Sequence, residues 1–473
     1  MIKRRDLFKF GLATAGMLAG EKLWGRPAVN SGKGFGIRLE NEDDIYQYVP
    51  ANNGAGPMWG NGMTTVVRVK DDVYACGLET DPGVKGLSNC RWTLFRRFQS
   101  GWKLEARDPV NLTREPASLA VWNKDRILLT ANPKLADSCT EYCLTHPEIL
   151  SFDRRNMHHP YERLIPEWKT NPGFNDHSYR AFAVDRQGQE MIFFQNYMYH
   201  HAEWSFRDRH GRWAASNAIK WPLETYGGKE VPLRLCYSNV ALRNRKVFFF
   251  ATADVVEPVE EWKAHKLAVS GSQWDYVFRR LFFCWSDDIT QEKFHPWIEI
   301  ANLDKTAGYI RNQDLWLSPD GSVYLLWTEK AIDERLREKF FPKERQEWSI
   351  RCAILREGKI REKATILSSK EGDPDVLAPG TARFHATPDG RLFVVCYVSG
   401  QRADGSRISE NRITEINKDG RAEATAVIAL KKPFTGFQTA NERAGCEPSF
   451  LLDMLGTREG KENTISYAGI RIV

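Results

Sequence analysis

Short apolar runs, broken by tight clusters of Gly, Asp, Asn and charged residues, recur along the chain as a unit of apolar segment, turn, apolar segment. The copies are TTVVRV-KDD-VYACGLE from Thr64, SLAVW-NKD-RILLTAN from Ser118, YRAFAVD-RQG-QEMIFFQN from Tyr179 and YSNVAL-RNR-KVFFFATA from Tyr237. They continue with LWLS-PDG-SVYLLWTE from Leu315, FHAT-PDG-RLFVVCYVS from Phe384 and SFLLDML, TREGKE, NTISYAGIRIV from Ser449. Runs rich in β-branched and aromatic residues on either side of a turn cluster read as antiparallel hairpins. The seven copies recur at roughly 55 to 75 residues, a period that marks a repeat architecture.

A weaker hairpin lies between copies: RWTLFRRF-QSG-WKLEA, AEWSFRD-RHG-RWAAS, FRRLFFCWS before FHPWIEI, SIRCAIL-REG-KIREKATIL and NRITEIN-KDG-RAEATAVIAL. Two hairpins per repeat make a four-stranded blade, so the pattern predicts an all-β chain, a seven-bladed β-propeller of four-stranded antiparallel blades over residues 34–473. The last repeat has an inner hairpin and no outer one, and GFGIRLE from Gly34 is expected to supply an outer strand there and close the ring. A two-sheet sandwich array is the competing architecture, but it does not account for paired hairpins at one period. Two insertions are expected, a loop at 255–275 and a short charged surface helix within 329–347.

Composition agrees: 42% hydrophobic and 12% aromatic residues exclude a disordered chain, and 22 Pro with 35 Gly suit many turns. The net charge of +6 draws about half its excess from Lys3, Arg4, Arg5 and Lys9, so bulk charge gives nucleic acid binding no support. A local positive pocket for an anionic sugar is still compatible with that balance.

Residues 1–20, MIKRRDLFKFGLATAGMLAG, have a basic start and an apolar stretch too short to span a bilayer. Arg4–Arg5 followed by Asp6, Leu7, Phe8 and Lys9 resembles a twin-arginine export signal. That resemblance implies a signal segment over residues 1–28, cut after Ala19 or Ala28, passage through the twin-arginine machinery, and a periplasmic or secreted protein. No later segment is long and apolar enough to cross a membrane, and a monomer is expected. Of the cysteines, Cys76, Cys236, Cys284, Cys352 and Cys396 sit in apolar strand-like runs and read as buried small side chains. Cys139, Cys143 and His146 could be a disulfide or half a zinc site. No cofactor is required, and a structural calcium or zinc ion is left open.

In a propeller, residues just before an inner strand and just after its hairpin partner meet at one mouth of the central channel. The starting positions are Asn61, Glu115, His177, Tyr237, Asn312, His385 and Glu447, and the returns are His200 and His201. Two imidazoles, His177 and His201, with a Tyr from the next blade form a general acid–base set. Arg180 and Arg234 flank that set and could hold a carboxylate. Asn312, His385 and His200 complete the expected substrate-binding residues, and His158 and His159 are further metal or substrate candidates.

The stretch NDHSYRAFAVDRQGQEMIFFQNYMYHHAEWSFRD resembles the BNR-repeat propellers related to ulvan lyases, polysaccharide lyase families 24 and 25, and to rhamnose-glucuronate lyases and rhamnosidases. The resemblance implies that His177 matches the first family His, His201 or His200 the second, and Tyr237 the Tyr. The family's Arg, about sixteen residues after that Tyr, has no counterpart, since Thr252 or Ala253 stands there. That Arg is thought to neutralise the uronate carboxylate, so Arg234 or Arg180 must substitute or the activity differs. The expected function is β-elimination on a uronate-containing glycan. A glycoside hydrolase using Glu115 and Glu447 is the alternative enzyme. A glycan-binding propeller is the non-catalytic alternative, favoured by a blocked mouth or by His rings that face apart.

Overall fold

The computed structural model describes residues 34–473 except His158, His159 and Asn171; the expected signal segment and the two vicinal histidines lie outside the described residues. Seven four-stranded antiparallel sheets follow one another along the chain. Their innermost strands are Val66–Val69, Leu119–Val121, Arg180–Asp185, Leu235–Arg243, Tyr309–Leu317, Val376–Ala386 and Phe434–Thr439, which begin blades 1 to 7. Blades 1 to 6 each run outward in chain order, and blade 7 is completed by the N-terminal strand Ile37–Gln47. That strand pairs antiparallel with Lys461–Ile472, from Ile37 opposite Ile472 to Gln47 opposite Thr464, so the two ends of the described chain close the ring. Strands from both ends in one sheet tie the circle shut, and Ile37–Gln47 forms the outer edge of blade 7.

The last hairpin is displaced by one strand from its expected place. Leu451–Arg458 and Lys461–Ile472 are the second and third strands of blade 7, and the polar inner strand Phe434–Thr439 was not legible as apolar. The insertion at 255–275 is not a loop throughout. Val255–Val256 pairs with Tyr276–Val277, and the helix Glu260–Ser270 stands between them, closed by Gly271 at φ 69°. The helix lacks an apolar stripe, and its anchor is ionic: buried Lys266 binds Glu257 and Asp275, and Arg279 binds Glu257. The charged helix expected within 329–347 is present as Glu334–Phe340, capped by Asp333.

Apolar faces of adjacent blades pack against each other. One core joins Tyr74 and Trp92 of blade 1 to Leu129 and Phe152 of blade 2 and to Phe182 and Phe193 of blade 3. Such flat, interdigitated interfaces carry most of the fold's apolar burial.

The axis is filled. The linker before blade 1 dips inward: Arg383 of blade 6 donates to Asn61 O and Oδ1 and to Gln313 O, while Gln438 of blade 7 donates to Gly60 O and Asn61 O. A Cβ on Gly62 would stand 2.2 Å from Ser238 O and 2.3 Å from Tyr237 O, so only glycine lets this linker cross blade 4. From the other side, Arg443 pairs with Asp314 and Trp316 donates to Glu442, which seats the short turn Glu442–Ala444 across the far mouth.

Candidate active site

The face on which the inner strands begin carries a cluster of aromatic and charged side chains above the plugged axis. His177 precedes the inner strand of blade 3, and its Nδ1 lies 3.0 Å from Glu115 Oε1, from the linker before blade 2. The same carboxylate oxygen accepts the Ser178 backbone N–H at 3.0 Å, so Glu115 is fixed and in turn fixes the ring. A carboxylate on Nδ1 holds the proton there and leaves Nε2 with its lone pair, an arrangement suited to a general base.

Trp59, from the linker that fills the axis, forms the floor. Its ring stacks on Tyr179 at 5.1 Å and lies 5.6 Å from the rings of both His177 and Tyr237. Tyr237 sits at a register shift in the inner strand of blade 4, with φ 54°. A bulky residue in that region is strained by about 1–3 kcal/mol, and such strain persists only where neighbours enforce it. Asn312 Nδ2 donates to Tyr237 O at 2.7 Å, and the linker crosses beside the same carbonyl at Gly62. Burial pushes the Tyr237 phenol up, Cys236 adds to the rise, and Arg311 partly opposes it. Tyr237 is therefore a neutral phenol at ordinary pH, able to donate a proton and poorly suited to remove one.

The two expected arginines are buried. Arg180 is 4% exposed, donates to Pro116 O at 2.8 Å and lies 4.0 Å from Glu115. Arg234 is paired with Asp254, which also accepts from Tyr179 OH at 2.9 Å, and is covered by Tyr199 at 4.1 Å. The cation left for a ligand is Arg311 of blade 5. It is half-buried, its guanidinium carbon lies 5.9 Å from the Tyr237 ring centroid, and among the described residues it makes no hydrogen bond or ion pair.

Not every expected residue reaches this cluster. His201 is on the third strand of blade 3, two strand spacings or roughly 10 Å outboard of the inner strand. Its Nε2 bonds Glu203 Oε1 at 2.8 Å, so the two imidazoles are held by separate carboxylates and do not form a pair. His200 is exposed in the preceding turn. Asn312 is fully buried and supports the Tyr237 bulge, bonding Asn239 and Thr252 as well, so it does not face a ligand. Glu447 lies on the far face, bonded to Arg186 in the turn at the other end of blade 3, because the hairpin it precedes is one strand out of register with the others. Cys139 and Cys143 form a disulfide, and no group of three or more His, Cys, Asp or Glu among the described residues could hold a metal ion.

His385 is also misplaced by that rule: it stands one residue from the end of its strand, at the far mouth, with Nε2 2.8 Å from Ser449 O. Burial pushes its imidazole down to about 4, against the partial opposition of the Ser449 carbonyl. The folded protein thus refuses a proton that the unfolded chain accepts at about 6.5, and stability is lost as pH falls from about 6.5 towards 4. Urea unfolding at pH 7 and pH 4.5 is expected to show a loss about 2–3 kcal/mol smaller in His385→Gln than in the wild type; equal losses would remove this assignment.

Reasoning from sequence missed Trp59, Tyr179 and Arg311. A Trp inside the glycine-rich NNGAGPMWGNGM was a readable signal for a chain that approaches others closely. Arg311 adjoins Asn312 and lay within reach of the strand-start rule.

No protein-family model matches the chain, and no curated protein matches it in sequence. Among solved structures it is similar to a PL25 ulvan lyase bound to -[GlcA(1-4)Rha3S]-, with a TM-score of 0.51 at 8% identity over 92% of this chain and 94% of that one. It also matches the GH93 α-L-arabinofuranosidase of Fusarium graminearum in complex with arabinobiose, with a TM-score of 0.43 at 11% identity over 92% and 98% of the two chains. At these identities the likeness to the lyase shows a shared propeller fold; the BNR-repeat and family 24 resemblance rests on the residues quoted above.

Proposed function

We propose that the protein is a carbohydrate-active lyase that cleaves a uronate-containing glycan by β-elimination. The observation that carries this reading is the juxtaposition of a carboxylate-oriented imidazole and a neutral phenol on one floor, Trp59, with an arginine beside the phenol that makes no hydrogen bond or ion pair among the described residues. Arg311 holds the uronate carboxylate and so favours charge that develops on it when C5 loses its proton. His177 Nε2 takes that proton; the C5–H electrons form the C4–C5 double bond, and the C4–O bond breaks towards the leaving sugar. Tyr237 OH protonates the departing oxygen, and proton exchange with solvent returns His177 and Tyr237 to their starting forms. Trp59 offers an aromatic face for the sugar ring. Arg180 and Arg234 act behind the site: the first beside Glu115, the second in the Asp254–Tyr179 stack.

A glycosidase needs two free carboxyl groups about 5–9.5 Å apart. The site's carboxylates, Glu115 and Asp254, are engaged by His177 and by Arg234 with Tyr179, and Glu447 is on the other face, which favours elimination over hydrolysis. The plugged axis and the separated histidines favour the glycan-binding reading, which is therefore kept as the second. The twin-arginine-like start together with the Cys139–Cys143 disulfide supports an exported protein.

The test is a screen of the purified chain against ulvan, rhamnose-glucuronate-capped glycans, pectic polymers and glycosaminoglycans, with ultraviolet absorbance and reducing ends recorded together. Elimination makes both rise, and Tyr237→Phe, which removes only the proton donor, should slow the rise about 10²-fold or more. Reducing ends without absorbance would establish a hydrolase, and binding without either would establish the glycan-binding propeller.

A further inference from the structure

The connection between the second and third strands of blade 2, residues 132–147, crosses the site face and contains the disulfide Cys139–Cys143. Cys143 is fully buried and Cys139 half-buried. The segment that leads into His177 lies against this connection as an added strand. Asp176 N donates to Cys143 O at 2.9 Å, Thr145 N donates to Phe174 O at 2.9 Å, and Leu144 bridges Asn175. Asn175 Oδ1 in turn accepts the His177 backbone N–H at 3.1 Å. On the other flank, Leu87 N donates to Thr140 O at 2.8 Å, and Lys134 Nζ donates to Asp137 O at 3.0 Å. The half-cystine Cys143 is therefore bonded directly to the residue before His177, and the bond to Cys139 ties it to a flank anchored on blade 1.

We propose that the Cys139–Cys143 disulfide is a positioning device for His177, so that the reactivity of the site is under thiol–disulfide control. The proposal rests on the function proposed above only for its catalytic consequence. Reduction by a dithiol breaks the S–S bond: two electrons pass from the reductant, each cysteine sulfur gains a proton, and the reductant becomes its own cyclic disulfide. Half-buried Cys139 is the sulfur such a reductant can reach. The two thiols then have to separate, and because Cys143 is enclosed, the 139–142 turn moves and the carbonyl that holds Asp176 loses its tether. Displacements of about 1 Å at a catalytic base cost on the order of 10²-fold in rate. The seven other cysteines among the described residues are buried and free, so a mild reductant has one target there.

The experiment compares the full chain oxidised, reduced with dithiothreitol, and as Cys139→Ser, which removes the bond and leaves the enclosed sulfur in place. Amide hydrogen exchange read by mass spectrometry is expected to rise at least tenfold in peptides covering 172–177 in both bond-free forms, with peptides of blades 5 and 6 unchanged. On whichever glycan the screen finds cleaved, kcat should fall with KM little moved, and Cys139→Ser should no longer respond to dithiothreitol. Unchanged exchange over 172–177 after complete reduction would overturn the proposal, whatever the substrate. Increased exchange in a protein that cleaves no glycan would leave the positioning device standing and remove the lyase reading.

Discussion

His177→Gln is expected to lower kcat/KM on the cleaved glycan by roughly 10²–10⁴-fold, the range general base catalysis contributes, with no change in thermal midpoint beyond a degree or two. The imidazole combines a fixed orientation with an Nε2 that has no hydrogen-bond partner among the described residues. Its Nδ1 is held by Glu115 at 3.0 Å, and its ring lies 5.6 Å from that of Trp59, tilted by 53°. Glutamine preserves a polar group of similar reach and cannot accept the proton at neutral pH. Glu115→Gln should reproduce part of the loss, because an amide can still accept from Nδ1 but gives the imidazolium formed during the reaction no countercharge. Steady-state rates from the initial absorbance slope would decide the matter: retention of more than a tenth of wild-type activity in His177→Gln would move the base elsewhere, with His201 on Glu203 the next group to examine.

Arg311→Gln is expected to reduce kcat/KM on a uronate polymer by about 10²–10³-fold, the size expected when a charge-assisted partner of the developing anion is removed. Arg180 is buried behind the site, and Arg234 cannot take the place of Arg311 without leaving buried Asp254 without its counterion. Esterifying the uronate supplies an independent check. Wild-type enzyme should prefer the free acid to the methyl ester, whereas Arg311→Gln should lose that preference, since a neutral amide gains nothing from the carboxylate's charge. If the variant kept the preference, Arg311 would not be the carboxylate site.

Much of the architecture was open to a reader of the sequence because hairpins are local. A turn cluster such as RQG or PDG and the alternating residues beside it lie within one short window, and the period of their recurrence then dictates blades. The error at blade 7 has the same origin. Its inner strand, FTGFQT, is short and only half apolar, with Phe434 and Phe437 in the core and Gln438 on the axial plug, so the next hairpin was read in its place and carried Glu447 to the wrong face. His385 failed for a related reason: the apolar run marks the far half of a long strand, Val376–Ala386, and the strand had begun well before it.

The site was legible as a list of polar residues at strand starts and not as an arrangement. His177 and Tyr237 stand together on the face expected of them because each lies beside the hairpin that defines its blade. Which arginine was free did not, because that depends on partners far along the chain: Asp254 takes Arg234, Glu115 lies beside Arg180, and nothing among the described residues takes Arg311. By itself, the sequence determined most of the strands and turns, the blade number and the closing role of the N-terminal segment, all set by side-chain periodicity and turn chemistry over a few residues. The tertiary structure alone decided that the axis is filled by Asn61 and Arg383, that Trp59 floors the site and that Tyr237 is held in a strained bulge. Those outcomes depend on burial and on competition for hydrogen-bond partners between segments hundreds of residues apart, quantities that exist only once the ring has closed.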